Sequence, residues 1–102
     1  MMTGEQYIES IRSMKMHIFC LGEELETAVG HPILQPALNS VKMTYDLAQE
    51  TEYRKLMTAI SSLTGRTINR FTNLHQNCSD LVDKVKMQRV LGQKTASCFQ
   101  RC

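Results

Sequence analysis

Leu34, Leu38, Val41, Tyr45 and Ala48 step along the chain by four, three, four and three residues. That spacing builds one continuous apolar stripe on a helix and predicts a helix after Pro36. Upstream, Tyr7, Ile8, Ile11 and Met14 share a helical face, and Thr3-Gly4-Glu5-Gln6 carries the capping pattern of Thr followed three residues later by Gln. A first helix is therefore predicted over residues 4–14. Met16 to Leu21 is β-friendly, short and followed by Gly22, which reads as an extended segment or turn leading into Glu23-Glu24-Leu25-Glu26. Gly30-His31-Pro32 and Pro36 punctuate the chain, because proline has no amide to donate and turns its predecessor away from helix.

Beyond the central helix, a shorter one is predicted from Glu52 to about Ser61, with Tyr53, Leu56, Met57 and Ile60 inward. Residues 61–67 read as a loop that ends in Ile68-Asn69-Arg70-Phe71, and the polar stretch 72–77 follows. Ser79 is the expected N-cap of the last helix, with Asp80 supporting its positive end. That helix places Leu81, Val82, Val85, Val90 and Leu91 inward and tolerates Gly92 at a cost of about 1 kcal/mol. It is expected to continue through Thr95-Ala96-Ser97 to the terminal cysteines. The sum is a mainly α fold, a single domain over residues 1–102, with five or so elements and one short extended piece.

Composition narrows the function more than the fold. The chain has 102 residues, 42% of them hydrophobic and 22% charged, which is ordinary for one small globular domain. A net charge of +2 gives no reason to expect nucleic acid or an anionic membrane as partner. Only the last third is biased: Lys84, Lys86, Arg89, Lys94 and Arg101 outnumber Asp80 and Asp83, which reads first as a solvated helix face. The opening residues show no basic stretch leading into an apolar one, and Ile18-Phe19-Cys20-Leu21 is far too short to cross a bilayer. The expected compartment is cytoplasmic and reducing, so the four cysteines are expected as free thiols or ligands. Cys20 and Cys78 each stand alone and are expected as small buried or half-buried residues.

Candidate chemistry concentrates in Cys98-Phe99-Gln100-Arg101-Cys102. In a helical context two cysteines four apart share a face, displaced by about 6 Å along the axis. The pair suits two thiolates on one metal centre or two thiols lying close together. Spacing alone fits two incidental thiols better than a metal site. The histidines add little: His17 falls in the extended segment, His31 precedes Pro32 as a turn residue, and His75 lies in a polar loop. No phosphate-binding glycine loop, nucleophile elbow or paired-cysteine zinc pattern occurs.

A resemblance sharpens this picture. Thr3-Gly4-Glu5-Gln6-Tyr7-Ile8-Glu9-Ser10, Gly22-Glu23 with His31-Pro32, Met43-Thr44-Tyr45-Asp46-Leu47-Ala48 and Ile68-Asn69-Arg70-Phe71 resemble the 4-hydroxybutyryl-CoA dehydratase/vinylacetyl-CoA Δ-isomerase family. So do Val85-Lys86-Met87-Gln88-Arg89, Leu91-Gly92-Gln93-Lys94-Thr95 and Cys98-Phe99-Gln100-Arg101-Cys102. The likeness covers essentially the whole chain in order and spacing. A more distant likeness links that family to flavin-dependent 4-hydroxyphenylacetate 3-monooxygenases, which lack the cluster cysteines.

The resemblance implies an acyl-CoA-dehydrogenase-like fold, of which this chain is the helical N-terminal domain, truncated before a central β-domain and a C-terminal bundle. It implies a homo-oligomer that binds FAD and a [4Fe-4S] cluster and converts 4-hydroxybutyryl-CoA, an acyl-CoA substrate, to crotonyl-CoA. Cys98 and Cys102 then correspond to two cluster ligands, and Gln100 to an active-site glutamine that positions substrate. The remaining ligands and nearly all flavin contacts belong to later domains, so the chain alone is expected to bind no cofactor and to be inactive. Two other readings stay open: a helical binding or oligomerisation module without catalysis, and a cluster shared between two chains that each supply Cys98 and Cys102.

Overall fold

The computed structural model describes residues 1–96, about half helical with two small antiparallel sheets. Helix α1 spans Gly4–Ser13, and its start is the capping box expected from sequence: Thr3 Oγ1 accepts from the Gln6 amide at 3.3 Å, and Gln6 Oε1 accepts from the Thr3 amide at 2.9 Å. Strands β1 (Ile18–Cys20) and β2 (Glu23–Leu25) follow, then α2 (Gln35–Gln49), α3 (Arg54–Met57), β3 (Thr58–Ile60), β4 (Thr67–Asn69), a 3-10 turn over Arg70–Thr72, and α4 (Cys78–Thr95).

The extended piece after α1 is one arm of a complete hairpin. Ile18 pairs with Leu25 and Cys20 with Glu23, leaving a two-residue turn of Leu21 and Gly22. Both have positive φ, 49° and 83°, the backbone that a tight hairpin turn demands. Glycine adopts it freely; leucine does so at a cost of order 1 kcal/mol. The turn lacks the Asn-Gly or Asp-Gly signature, so the pattern showed only an extended run.

The expected helix from Glu52 to Ser61 stops far sooner. Only Arg54–Met57 is helical; Thr58 turns extended and begins β3, which pairs with β4 through Thr58–Asn69 and Ile60–Thr67. Thr58, Ala59 and Ile60 favour a strand as much as a helix. Ile60, expected inward, is 64% exposed. The N-cap of α4 is Asn77 rather than Ser79: its side-chain oxygen accepts from the Asp80 amide at 2.9 Å, while Asp80 Oδ2 accepts from the Gln76 amide at 2.8 Å.

The core is small. Leu47 and Ala48 of α2, Met57 of α3, and Met87 and Leu91 of α4 are buried together, flanked by Met43, Tyr53, Leu56, Phe71 and Val90. Each fully buried Leu or Met side chain contributes about 1.5–3 kcal/mol. The predicted stripe on α2 is half-buried apart from Ala48. Tyr45 turns instead to α1, where it stacks on Tyr7 with ring centroids 5.1 Å apart, so α2 has two buried sides. Of the residues expected inward on α4, Leu91 is buried and Val90 flanks the core, but Leu81, Val82 and Val85 face out. Cys20 is half-buried as expected, whereas Cys78 is exposed at the first position of α4. Among the described residues no helix is long and apolar enough to cross a membrane.

Candidate functional site

Cys98, Gln100 and Cys102 lie outside the described residues. Helix α4 ends at Thr95, with Ala96 in the left-handed region at φ 52°, so it stops before Ala96, which the sequence pattern placed within it; Ser97 lies outside the described residues. Its last turn is held by the buried Leu91, and the Lys94 ammonium sits 4.8 Å above the Tyr53 ring at the start of α3. Thr95 Oγ1 donates back to the Leu91 carbonyl at 2.7 Å. The exit toward Cys98 is therefore a fixed helix end packed on the core.

Beside that helix, Arg70 ties the end of α3 to β3 and reaches α4 through one ion pair. Arg70 is 8% exposed. Its Nε donates to the Leu56 carbonyl at 2.6 Å, and its Nη2 donates to the carbonyls of Lys55 at 3.1 Å and Thr58 at 2.6 Å. The carbonyls of the last helical turn have no partner inside their own helix; Arg70 supplies one for the end of α3 and for the first residue of β3. Its Nη1 faces Asp83 of α4 at 3.8 Å. One planar, permanently charged fork thus joins α3, β3 and α4. The neighbouring Asn69 is also buried: its amide donates to Thr44 Oγ1 of α2 at 2.8 Å, and its oxygen accepts from the Phe71 amide at 3.1 Å. Ile68-Asn69-Arg70-Phe71 is the crossing point of the domain, a role its sequence pattern did not announce. A buried Arg beside a buried Asn, in a block expected as a loop end, was the available signal.

A second polar junction fixes α1 on α2. Lys42 Nζ reaches Glu5 Oε1 at 2.8 Å and Asp46 Oδ2 at 3.4 Å. The hydrogen bond from Lys42 holds the Glu5 carboxyl below its ordinary pKa, and the same bond, with the charge of Asp46, raises that of Lys42. Burial raises the pKa of the Tyr7 phenol, and the neighbouring Tyr45 adds to it.

Among the described residues no group of three His, Cys, Asp or Glu side chains converges to hold a metal. His17 pairs through Nδ1 with Glu24 Oε1 at 2.6 Å on the exposed hairpin. His31 Nδ1 accepts from the Ile33 amide at 3.2 Å, the turn role expected of it, and His75 is exposed. The basic residues of the last third are not one solvated face: Lys84 and Lys94 lie over the rings of Phe71 and Tyr53, whereas Lys86 and Arg89 are exposed. An open cleft of about 620 Å³ beside Arg70 is bordered by Lys55, Thr58, Ile60, Asp80 and Asp83. Its mixed charges select no one class of ligand. The thiolates of Cys98 and Cys102 are the right donors for an iron–sulfur cluster, and they are half the number it takes.

Residues 3–102 match the N-terminal region of the 4-hydroxyphenylacetate 3-hydroxylase family. The chain is 59% identical over all 102 residues to the 4-hydroxybutyryl-CoA dehydratase/vinylacetyl-CoA Δ-isomerase of Clostridium aminobutyricum, of which it covers 21%. Its fold superposes on an oxygen-tolerant archaeal 4-hydroxybutyryl-CoA dehydratase from N. maritimus with a TM-score of 0.83 at 45% identity, covering 98% of this chain and 20% of that one. The FAD-complexed oxygenase component of 4-hydroxyphenylacetate 3-monooxygenase shares the fold at a TM-score of 0.70 and 20% identity, over 92% of this chain and 19% of that one. The chain spans about a fifth of the length of these relatives.

Proposed function

The chain belongs to the 4-hydroxyphenylacetate 3-hydroxylase N-terminal family, and on that premise we propose that it is the N-terminal domain of a 4-hydroxybutyryl-CoA dehydratase/vinylacetyl-CoA Δ-isomerase. The observation that carries this is the unbroken 59% identity over its whole length. The contrast with 20% identity to the oxygenase component favours the dehydratase branch, as do the cysteines at 98 and 102. In this reading residues 1–102 form one helical domain of an acyl-CoA-dehydrogenase-like parent, a cytoplasmic homo-oligomer acting on an acyl-CoA.

Cys98 and Cys102 would hold a [4Fe-4S] cluster as two of its thiolate ligands, and Gln100 would hydrogen-bond the acyl-CoA substrate. When bound, the cluster would supply Lewis-acid chemistry and FAD one-electron chemistry. The chain's own contribution is placement. Arg70 locks α4 against α3 and β3, Leu91 and Lys94 fix its final turn, and the ligand pair follows within a few residues. Alone, the chain contributes two of about four ligands and does not turn over.

Two measurements test this. Anaerobic reconstitution of residues 1–102 alone is expected to leave no stable iron or acid-labile sulfide. A stable cluster at two chains per centre would overturn the half-site assignment. A chimera in which residues 1–102 replace the N-terminal fifth of the Clostridium aminobutyricum enzyme is expected to bind iron and form crotonyl-CoA, and to lose iron with Cys98→Ser or Cys102→Ser. An assembled chimera whose iron content ignores both substitutions would refute the assignment of the ligands.

A further inference from the structure

Two separate sets of contacts hold this domain together. The buried cluster is drawn from α2, α3 and α4, and neither its members nor the residues flanking it come from the first 30 positions. Residues 1–29, which carry α1 and the β1–β2 hairpin, are fastened by other means. Glu5 bonds to Lys42, Tyr7 stacks on Tyr45, Gly4 backs onto Asp46 and Lys42, and the Met2 carbonyl accepts from Gln49 Nε2 at 3.5 Å. Every one of these partners lies on α2. Ile8 is the buried apolar side chain of α1, and the hairpin leaves Phe19 and Leu21 exposed. The junction between the two sets is built to turn. Gly30 has φ 86°, and a Cβ there would meet open space, so the chain pivots at a residue with both conformational freedom and room. Pro32 fixes the approach to α2, and Gln35 Oε1 accepts from the Gly30 amide at 2.6 Å, closing the pivot with one side-chain bond.

We propose that residues 1–29 form a strap that swings open from α2 about Gly30 while α2, α3 and α4 stay packed. This motion belongs to the described residues themselves and does not depend on the function proposed above. The two units are held with unequal strength. The strap relies on Ile8, one ring stack and ion pairs with exposed carboxylates, whereas the cluster closes over the fully buried Leu47, Met57, Met87 and Leu91. Helix α1 has 10 residues, fewer than the ~12–15 at which an isolated helix becomes even marginal in water, so it melts once it leaves α2. Opening uncovers Tyr45 and the α1-facing side of α2. It leaves the bonds of Arg70 and the last turn of α4 as they are, since neither touches the strap. Local openings of this kind are drawn from the segments with the fewest buried apolar contacts.

Amide hydrogen exchange of the 102-residue chain, read on peptides from α1 and α4 over a series of urea concentrations below the unfolding transition, tests the strap. The α1 amides are expected to exchange about 100-fold faster or more than those of the inner turns of α4. Their urea dependence should be shallower, because a partial opening exposes less surface than global unfolding. Leu91→Ala weakens the cluster in the closed and the strap-open states alike. It is expected to speed α4 exchange by about 30-fold or more and to leave the α1 rate within about twofold. Ile8→Ala weakens the closed state alone, which precedes both openings, so it should speed α1 and α4 by the same factor. Val90→Ala, a milder cut in the same cluster, gives the Leu91 contrast should Leu91→Ala not fold. If α1 and α4 exchange at one rate with one urea slope, or if the cluster substitution speeds α1 as much as α4, the domain opens only as a whole and the strap is overturned. Wild-type α1 amides that exchange as fast as those of an unstructured peptide would overturn it too, since nothing would then be latched. None of these outcomes bears on the family assignment or on iron binding in the chimera.

Discussion

Replacing Arg70 by Ala is the most informative single perturbation of this domain. The substitution removes three charge-assisted bonds, to Leu56 and Thr58 at 2.6 Å and to Lys55 at 3.1 Å, and leaves those carbonyls without their donor. A hydrogen bond from a charged group is worth about 1.5–3 kcal/mol, and an orphaned buried acceptor costs about 1–3 kcal/mol. Water entering the vacated space recovers part of this, so the expected loss is about 3–4 kcal/mol. The ion pair is the lesser part: at 3.8 Å, with the Asp83 side chain 39% exposed, it is worth under about 1 kcal/mol. Domains of this size have a total stability of about 5–15 kcal/mol. Urea unfolding followed by far-UV circular dichroism is the assay, and with a slope of about 1.5 kcal/mol/M the midpoint should fall by roughly 2 M. Arg70→Lys should recover less than half, because an ammonium cannot reproduce the planar fork; it also gives a measurable value if Arg70→Ala does not fold. Asp83→Asn should shift the midpoint little. A shift below about 0.5 M for Arg70→Ala, or an Asp83→Asn effect of equal size, would refute the assignment of the carbonyl bonds to α3 and β3 as the main contribution of Arg70.

Two further outcomes concern the seam between α1 and α2. Gly4→Ala places a Cβ against the Asp46 carboxylate and 2.7 Å from Lys42 Cγ; overpacking at about 1–3 kcal/mol outweighs a helix-propensity gain of at most about 1 kcal/mol. The melting temperature should drop by several degrees, and an unchanged or higher one would show that the seam has room. Lys42 and Tyr7 both have raised pKa values, so their contributions are present below their unfolded values near pH 10 and are lost as pH rises through the folded ones. Glu5 has a lowered pKa, so its contribution is present above its unfolded value of about 4.3 and is lost as pH falls. Tyrosinate absorbance during alkaline titration should show Tyr7 ionising last, with Tyr7→Phe removing that final step; a titration that Tyr7→Phe leaves without any loss of its latest step would refute the burial argument.

How far the sequence alone reached follows from what periodicity can encode. The capping box at Thr3 and Gln6, the helix after Pro36 and the existence of a last helix are local signals, and all three stand in the structure. The hairpin at Leu21-Gly22 was missed because its turn is built from a leucine in an unfavourable backbone region rather than from the usual turn residues. The helix expected up to Ser61 gave way to β3 because Thr58–Ile60 has a pairing partner in Thr67–Asn69, a tertiary fact that no window of sequence contains. Arg70 was passed over for the same reason: its partners lie 12 to 15 residues upstream and carry no side-chain signature, being backbone carbonyls. Cys98, Gln100 and Cys102 rest on the family likeness and lie outside the described residues.

The misreading of α4 has a further consequence. Apolar periodicity reports that a face is covered, not what covers it. In α4 two apolar strips lie on opposite sides of one helix, Met87, Val90 and Leu91 inward and Leu81, Val82 and Val85 outward. Read as a single helix of one domain, Leu81, Val82, Val85, Val90 and Leu91 are all expected inward. The structure separates them, and the separation assigns each strip a different dependence on context. The inner strip packs α4 on α2 and α3. The outer strip has no work to do within residues 1–96, and the inward charges Asp83 and Lys84 show that the helix is not simply misrotated, since each has a specific partner in Arg70 and Phe71. The same helix ends at Thr95, three positions in sequence before Cys98. One element therefore carries the core on one side and exposed aliphatic side chains on the other, so a change in its rotation would be felt at both together.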